Sequence, residues 1–385
     1  MNETPERFMA IITYLTRIVF DDGALGGIGA EMAGAGIARP LVVTDPGVVA
    51  AGLLDRLVDR LPDPSLARVF AETPANPTEA SARAALVAWR EGACDGVIAL
   101  GGGSAIDLGK AVRLMATHDG PLADYVVTAG GAARIRADLP GMIAVPTTAG
   151  TGAEVGRAAL IVLDDGAKRA LISQHLIPTC ALCDPELTHG LPPGVTAGTG
   201  MDAIAHGIET FLSPTVNPPA EAIALDAVAR GWAHVGRAVA DGGDREARWQ
   251  MMMAALEGAM AFQKGLGAVH ALSHPLGALA EPVLHHGTLN AVLLPAVLRY
   301  NAPAVGDKTA RLAAAMGLPS GGDPAEAVES MTARLGLPTT LSAMGVPAPC
   351  LDAVAEAAMT DHCTATNPRP VDAAAYRAML AEAYG

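Results

Sequence analysis

The sequence predicts an α/β fold with a parallel sheet over residues 1–191 and an all-helical fold over residues 192–385. Three observations lead to this division. In the first part, short apolar runs alternate with helical stretches, as in a sheet covered by helices on both faces. One of these runs leads directly into the glycines 101–103. From residue 196 onward the chain is rich in Ala, Leu and Met with helical periodicity, so the boundary is predicted near Pro192.

Four short apolar runs are predicted strands because each is bounded by turn or polar residues and is too short for a typical helix. They lie at 40–45, 67–70, 96–100 and 142–146. Residues 77–91 are predicted to form an amphipathic helix. Its apolar side chains Ala82, Ala85, Leu86 and Trp89 are spaced i, i+3, i+4 and i+7, which places them on one face.

The composition indicates a globular chain long enough for two domains. Hydrophobic residues make up 51% of the 385 residues, so there is ample material for burial. Aromatic residues are only 3%, so Ala, Val and Leu must fill the core. A net charge of −14 leaves no basic stripe for phosphates, which argues against a nucleic-acid partner. Any anionic cofactor must therefore be held by backbone amides and a few local cations.

The cysteines and the N-terminus point to a cytoplasmic protein. The five cysteines have no framework spacing, and the pair Cys180-x-x-Cys183 lies in an apolar run, so buried thiols are expected rather than a redox or zinc motif. Residues 1–7 are polar and acidic, unlike a signal peptide. No apolar run approaches the roughly 18–20 residues that a membrane span needs, so no membrane partner is expected.

The glycine-rich segment 101–110 is predicted to link a strand to a helix. Its three glycines permit close approach of the backbone to a ligand. Ser104 and Asp107 have the spacing of a capping box at the start of that helix. The exposed amides and the positive dipole end would suit a pyrophosphate. The spacing matches neither the dinucleotide fingerprint nor the P-loop, so a purely structural turn remains an alternative.

Two further segments favour a Rossmann-like nucleotide site that takes NAD. Asp45, at the end of an early predicted strand, is placed to bind the ribose hydroxyls and would repel a 2′-phosphate. Its alternative role is an N-cap before Pro46. The small segment 146–154 carries the hydroxyls of Thr147, Thr148 and Thr151, which suit a nucleotide-lined cleft. A polar exit from the preceding strand is the alternative there.

Metal ligands are predicted in the helical half. Asp202 and His206 are spaced i, i+4, as are His270 and His274, and His285 and His286 follow. An i, i+4 pair lies on one face of a helix. A carboxylate with neutral imidazoles suits Fe²⁺ or Zn²⁺, whereas Mg²⁺ and Ca²⁺ prefer oxygen ligands. Scattered core or surface histidines are the alternative, but six of the ten histidines fall between residues 206 and 286.

Taken together, these motifs resemble the iron-containing (group III) alcohol dehydrogenases, a family that shares its fold with dehydroquinate synthase. The resemblance covers nearly the whole chain, and the motifs occur in the family's order. They are Gly-Gly-Gly-Ser-x-x-Asp-x-x-Lys at 101–110, Pro-Thr-Thr-Ala-Gly-Thr-Gly-x-Glu-Val at 146–155, Asp-Pro at 184–185, Gly-Met-Asp-Ala-x-x-His-x-x-Glu at 200–209, Gly-Leu-Gly-x-x-His at 265–270, His-Pro-Leu-Gly at 274–277, His-Gly-x-x-Asn-Ala at 286–291 and Asn-Pro-Arg at 367–369.

The resemblance implies roles for individual residues. Four would ligate the metal, namely Asp202, His206, His270 and His286. His274 would lie beside the substrate or the nicotinamide as a catalytic residue, and Cys363 near the substrate pocket. Residues expected to contact NAD, from the motifs and the resemblance together, are Asp45, Asn76, Gly102, Gly103, Ser104, Asp107, Thr147, Thr148, Thr151 and Lys168. The resemblance also implies a homodimer.

The chain departs from the family pattern at two places. His286 follows His270 by 16 positions, about two more than in many members, so an insertion is inferred at 280–283. The adjacent His285 leaves the fourth ligand open, although the motif favours His286. Ala153 and Gly156 stand where Ser and Thr are common, which predicts looser contacts at the nicotinamide end and a changed substrate preference.

The implied reaction is reversible hydride transfer between NAD⁺ and a small primary alcohol, diol or hydroxy acid, with Fe²⁺ or Zn²⁺ as Lewis acid and His274 relaying the proton. Three alternatives remain. A maleylacetate reductase would act without metal, but the ligand motif is intact. A lyase of the dehydroquinate synthase type would need several cations, and residues 265–294 contain no Lys or Arg. A non-enzymatic binding protein would be expected to have lost a ligand.

Overall fold

Six strands form one parallel sheet in the described part of the first half of the chain. The computed structural model describes residues 16–385. In chain order the strands are β1 (Arg17–Phe20), β2 (Pro40–Val43), β3 (Arg68–Phe70), β4 (Gly96–Gly101), β5 (Gly141–Pro146), β6 (Ala158–Val162), β7 (Lys168–Ile172) and β8 (Cys180–Cys183). The sheet order is β1-β8-β5-β4-β2-β3, and every pair in it is parallel. The predicted parallel sheet is confirmed.

The sheet has its topological switch between β2 and β4. From β2 the chain moves outward to β3, whereas from β4 it moves the other way through β5 to β8. All residues of β2 and β4 are buried, as expected for strands covered on both faces. Ligands of open α/β sheets bind at the carboxyl ends of the strands beside such a switch. Asp45 and the glycines 101–103 stand at that edge.

The helices of this half are α1 (Ile28–Gly34), α2 (Pro46–Ala50), α3 (Leu53–Val58), α4 (Glu79–Glu91) and α5 (Gly103–Met115). Helix α4 begins two residues later than predicted, because Thr78 and Ser81 form a capping box at its N-terminus. The predicted capping box at Ser104 and Asp107 is wrong. Helix α5 has Gly102 at its N-cap without a side-chain bond, Ser104 donates to the carbonyl of Ala75 (2.5 Å), and Asp107 accepts from the amide of Leu160 (3.0 Å).

A two-stranded antiparallel hairpin, β6 with β7, lies outside the main sheet and was not predicted. Burial alternates along β6, and the Asp164-Asp165-Gly166 segment that connects the strands has the composition of a hairpin turn. Strands β1 and β8 were also not predicted. The latter contains Cys180 and Cys183, both fully buried, so the expected buried thiols are confirmed.

Nine α-helices make up the second half. They are α6 (Pro193–Leu212), α7 (Pro218–Ala240), α8 (Arg245–Ala261), α9 (Ala268–Gly277), α10 (His286–Asn301), α11 (Lys308–Ala315), α12 (Pro324–Arg334), α13 (Leu351–Ala358) and α14 (Ala373–Tyr384). Helix α6 packs against α7, α8 and α10. From Thr196 to its end almost every residue of α6 is buried, so its few polar side chains must find partners inside the protein.

Two expectations concern the ends of the chain and the membrane. Among residues 16–385, no helix is both long and apolar enough to cross a bilayer. The prediction that residues 1–7 are unlike a signal peptide concerns residues outside the described part. The division at Pro192 stays a prediction, although the sheet precedes it and the long helices follow it.

Lys110 connects α5 to the loop before β6. Its side chain is fully buried, and its ammonium donates to the carbonyls of Ala153 (2.7 Å), Gly156 (3.0 Å) and Ala158 (2.7 Å). Burial lowers the pKa of Lys110 to about 8, partly opposed by the nearby carboxylate of Asp107. These three hydrogen bonds from one ammonium group hold the loop before β6 close to helix α5.

Replacing Lys110 by Met is expected to lower the free energy of unfolding by about 3 kcal/mol, because buried carbonyls lose their donor. Urea denaturation monitored by circular dichroism measures this change. Arg68→Met is the control, since Arg68 is exposed and pairs with the exposed Glu91. This variant should change stability by less than about 0.5 kcal/mol. Equal stability of the Lys110→Met and Arg68→Met variants would contradict the role of Lys110.

Candidate functional site

Three helices bring one carboxylate and three imidazoles together. Asp202 and His206 lie one turn apart on α6, His270 lies on α9, and His286 is the first residue of α10. The Nε2 atoms of His206, His270 and His286 lie 3.8, 3.8 and 3.7 Å from Oδ1 of Asp202. The edge of a tetrahedron around a cation with bonds of about 2.1 Å is about 3.4 Å. The spacing therefore suits four ligands on one divalent ion.

The lone pairs of this cluster converge on one point, where the amide of Asn290 lies. Its Nδ2 is 2.7 Å from Oδ1 of Asp202 and 3.2 Å from Nε2 of both His270 and His286. Three acceptors around one donor mark a position where negative potential accumulates. This convergence is what a cation site requires, so the donor set fits Fe²⁺ or Zn²⁺.

Glu209 orients His270. Its Oε2 lies 2.5 Å from Nδ1 of His270, and its Oε1 accepts from the amide of Val269 (2.8 Å). Because a carboxylate only accepts, Nδ1 carries the proton, and the lone pair of Nε2 points into the cluster. Glu209 lies at i+3 from His206 on α6, so the helical spacing would have identified it as part of this face.

The electrostatics of the cluster favour an anionic Asp202 among imidazoles. Burial opposes ionisation of Asp202, but the neighbouring histidines outweigh it and hold its pKa well below the usual range. Burial lowers the pKa of His206 to about 4 and that of His286 well below its ordinary value. His270 differs: burial would lower its pKa, yet Asp202 and Glu209 raise it to about 9. A bound cation would replace that proton.

The geometry separates His286 from His285. His285 is the N-cap of α10, its Nδ1 accepts from the amide of Thr288 (3.3 Å), and its ring packs against Gly198 of α6. A Cβ on Gly198 would stand 2.5 Å from that ring. His286 instead faces Asp202. Of the two neighbours, His286 is the one that joins the cluster.

His274 stands beside the cluster with partners of its own. Its Nδ1 lies 2.8 Å from Oδ2 of Asp361, and its ring stacks on His286 at 5.8 Å between centroids. The ring of His274 also stacks on His362, with 5.7 Å between the ring centroids. Nε2 of His362 lies 3.4 Å from Sγ of Cys363. Burial raises the pKa of Cys363 well above its ordinary value, so this side chain is a neutral thiol.

The cluster opens into a cavity of about 630 Å³ that both halves of the chain line. Of the predicted NAD contacts, those that line it are Asn76, Gly102, Gly103, Ser104, Asp107, Thr148, Thr151 and Lys168. A Cβ on Gly103, the first residue of α5, would stand 2.8 Å from Thr151, so the start of α5 packs closely against the segment that follows β5. Nζ of Lys168 donates to Oδ1 of Asn76 (2.9 Å).

Two predicted contacts are not among the residues that line this cavity. Asp45 caps α2, its Oδ1 accepting from the amides of Gly47 (2.8 Å) and Val48 (3.0 Å), so the alternative reading of Asp45 as an N-cap is correct. Its Oδ2 takes no part in that cap and faces Gly101. Thr147 is buried, and its amide donates to the carbonyl of Gly101.

Models of known families match almost the entire described chain. Residues 16–185 match the iron-containing alcohol dehydrogenase model, and residues 196–384 match the C-terminal model of the Fe-containing alcohol dehydrogenase family. The chain belongs to the iron-containing alcohol dehydrogenase family. It is an oxidoreductase that acts on CH–OH groups, and the resemblance inferred from the motifs is confirmed.

Individual members of the family are similar over their full lengths. The 4-hydroxybutyrate dehydrogenase of Cupriavidus necator is 56% identical over 379 residues, which cover 97% of this chain and 99% of that protein. The crystal structure of a 1,3-propanediol oxidoreductase superposes with a TM-score of 0.91 at 32% identity, covering 97% of this chain and all of that one. The sulfoacetaldehyde reductase of Bifidobacterium kashiwanohense, solved with NAD⁺, gives 0.87 at 27% identity, with coverages of 98% and 99%.

The sequence motifs identify most residues of this iron-containing alcohol dehydrogenase's candidate site, but they do not identify several residues that contact it. Asn290 belongs to the motif at 286–291, yet its spacing gives no reason to place it beside Asp202. Asp361, the partner of His274, lies outside the motifs. Arg157 and Phe262, which also line the cavity, carry no motif signal at all. Asp361 is revealed by its contact with His274, 87 positions away, and Asn290 by its contact with Asp202, 88 positions away.

Proposed function

We propose that this NAD-linked dehydrogenase oxidises 4-hydroxybutyrate, a short ω-hydroxy acid, to the aldehyde acid. The hydroxyl-bearing carbon gives a hydride to NAD⁺, and its oxygen gives up a proton. The observation that carries the proposal is that the Asp202 cluster and the N-terminus of α5 line the same cavity. The 56% identity to the Cupriavidus necator 4-hydroxybutyrate dehydrogenase over nearly all of both chains supports this substrate.

We propose Asp202, His206, His270 and His286 as the metal ligands. The separations of 3.7–3.8 Å around Oδ1 of Asp202 and the neutral state favoured for His206 and His286 support them. A divalent metal held by these four residues would supply Lewis-acid chemistry, lowering the pKa of a substrate hydroxyl. We propose Fe²⁺, and Zn²⁺ suits the same donors.

His274 is proposed to take the substrate proton. With Nδ1–H donated to Asp361, the other ring nitrogen has a free lone pair. Burial would raise the pKa of Asp361, but His274 holds it well below the usual range, so Asp361 stays anionic and stabilises a protonated imidazole. Cys363 and His362 are proposed to form the substrate wall beyond it.

The cofactor NAD is proposed to bind at the N-terminus of α5. The backbone amides of Gly102, Gly103 and Ser104, at the N-terminus of α5, suit the pyrophosphate. Thr148, Thr151, Asn76 and Lys168 line the neighbouring wall. Asp45 is proposed to bind the ribose hydroxyls through Oδ2 while Oδ1 remains in its cap. A homodimer is proposed from the family resemblance.

Metal removal tests the proposal. The protein is stripped with a chelator, reloaded with Fe²⁺ or Zn²⁺, and assayed for NADH formation with 4-hydroxybutyrate, 1,4-butanediol, 1,3-propanediol and 1-butanol. We expect no turnover when stripped, recovery with metal, and the highest kcat/KM with 4-hydroxybutyrate. Undiminished turnover in stripped protein would contradict the metal and favour a chemistry like that of maleylacetate reductase. A preference for the neutral diols would contradict the substrate.

A further inference from the structure

The cavity contains a guanidinium that has no carboxylate partner within the described part of the chain. Arg157 lies directly before β6 and lines the cavity with the Asp202 cluster. Among residues 16–385, its side chain makes no ion pair, and its one hydrogen bond is a long one, 3.4 Å, to the carbonyl of Gln263. Burial alone lowers the pKa of Arg157. A partly buried cation with unused donors faces the space where the substrate must bind.

The other cations of the cavity are already engaged. Lys264 donates to the backbone carbonyls of Thr210, Phe211 and Ser213 and pairs with Glu221 at 3.2 Å. Lys168 donates to Asn76, beside the N-terminus of α5. The carboxylate of Asp107, which also lines the cavity, accepts from the amide of Leu160 and lies 3.7 Å from Lys110. Arg157 therefore has the most unused hydrogen-bonding capacity of these cations.

Phe262 contacts the Asp202 cluster on one hand and the segment of Arg157 on the other. Its ring lies 5.5 Å from the ring of His206, while a Cβ on Gly156, the neighbour of Arg157, would be 3.0 Å from its Cζ. The next residue, Gln263, provides the carbonyl that contacts Arg157. Phe262 thus contacts both the cluster and the segment of Arg157, and all three line the same cavity.

The guanidinium and the proposed proton acceptor, His274, line the same cavity. His362 stacks on His274, and the charge of Arg157 is one of the influences that, after burial, lower the pKa of His362 to about 4. A neutral His362 adds no positive charge to that of Arg157. Arginine binds carboxylates with two parallel hydrogen bonds, which fixes direction as well as charge.

We infer that Arg157 binds the carboxylate of an ω-hydroxy acid whose hydroxyl end lies at the Asp202 cluster. This inference rests on the proposed function, for which it names the group that distinguishes a hydroxy acid from a neutral alcohol. The residue would set specificity through KM, because its interaction with the distant carboxylate is made equally in the ground state and the transition state.

The test compares the ratio of kcat/KM for 4-hydroxybutyrate to kcat/KM for 1,4-butanediol. For Arg157→Gln, we expect this ratio to fall about 100-fold, mainly through KM for the hydroxy acid. Arg157→Lys should recover part of the ratio, since it restores the charge but not the two parallel bonds. Added guanidinium chloride should rescue Arg157→Ala with the hydroxy acid and not with the diol, which a merely structural role would not produce.

Two control variants make the outcomes distinguishable. Arg68→Gln removes an exposed charge from the same half of the chain and should keep the wild-type ratio. Lys168→Gln should raise KM for NAD⁺ with either substrate. A loss of the ratio in Lys168→Gln, with none in Arg157→Gln, would overturn the inference and assign the carboxylate to Lys168. If the wild-type enzyme oxidises neither substrate, the proposed function fails; if it oxidises both and Arg157→Gln keeps the ratio, only the inference fails.

Discussion

Asp202→Ala is expected to abolish metal binding and to lower kcat/KM by about 1,000-fold or more, while NAD⁺ affinity remains largely unchanged. Asp202 is the anion of the cluster, and its Oδ1 faces the Nε2 atoms of all three imidazoles. Without it, the remaining nitrogen ligands carry no negative charge to hold a divalent cation. Metal content by plasma mass spectrometry, kcat/KM and a fluorescence titration with NADH measure the three quantities separately.

The matched control is Asp226→Ala, which removes a carboxylate from α7 that is half exposed and pairs with Arg230 on the same helix. This variant should keep its metal and its turnover. Turnover by Asp202→Ala protein that holds no metal would refute the ligand assignment. A variant that loses NADH binding as well would indicate a general loss of structure, which the urea midpoint would reveal.

Glu209→Gln is expected to weaken metal affinity by about 10–100-fold, although Glu209 does not contact the proposed metal position. Both of its oxygens accept: Oε1 from the amide of Val269 and Oε2 from Nδ1 of His270. A glutamine amide must turn its NH₂ group toward one of these donors. Either the start of α9 loses a bond or His270 is driven to the tautomer whose Nε2 carries a proton and cannot ligate.

Metal affinity by competition with a chelator measures this effect, and saturating Fe²⁺ should restore most of the turnover. The control is Glu356→Gln, an exposed carboxylate that pairs with Arg377 on the surface. An unchanged metal affinity in Glu209→Gln would show that the orientation of His270 does not depend on this carboxylate. Loss of turnover that saturating metal does not restore would place the defect in the fold of α9 instead.

The elements that the sequence predicts correctly are those with a local and repeated signal. The buried runs of β4 and β5 and the amphipathic face of α4 follow from spacing alone. Asp202 and His206 are one helical turn apart, so their pairing needs no knowledge of the tertiary fold. The order of the motifs along the chain then indicates the family, which supplies the fold of the second half.

What the sequence does not predict depends on contacts between distant segments. Ser104 and Asp107 have the spacing of a cap, but Asp107 instead bonds the amide of Leu160, 53 positions later, on the hairpin. His274 finds Asp361 on a segment 87 positions away. Arg157 is distinguished by having no ionic partner among the described residues, a property that only the folded arrangement reveals. Tertiary hydrogen bonds of this kind replace the local cap, and the spacing of residues along the chain does not reveal them.

The cap at His285 has a consequence for how enzymes of this kind diversify. His285 caps the N-terminus of α10 by accepting from the amide of Thr288, and its ring packs against Gly198 of α6. The position of His286 therefore depends on these two contacts and not on the length of the loop before it. The longer segment at 278–284 can therefore accommodate extra residues without moving the metal. Its members Val283 and Leu284 line the cavity, and Val283 is 70% exposed. Insertions, deletions and drift can accumulate there, so new substrate ranges can arise while the chemistry is inherited intact.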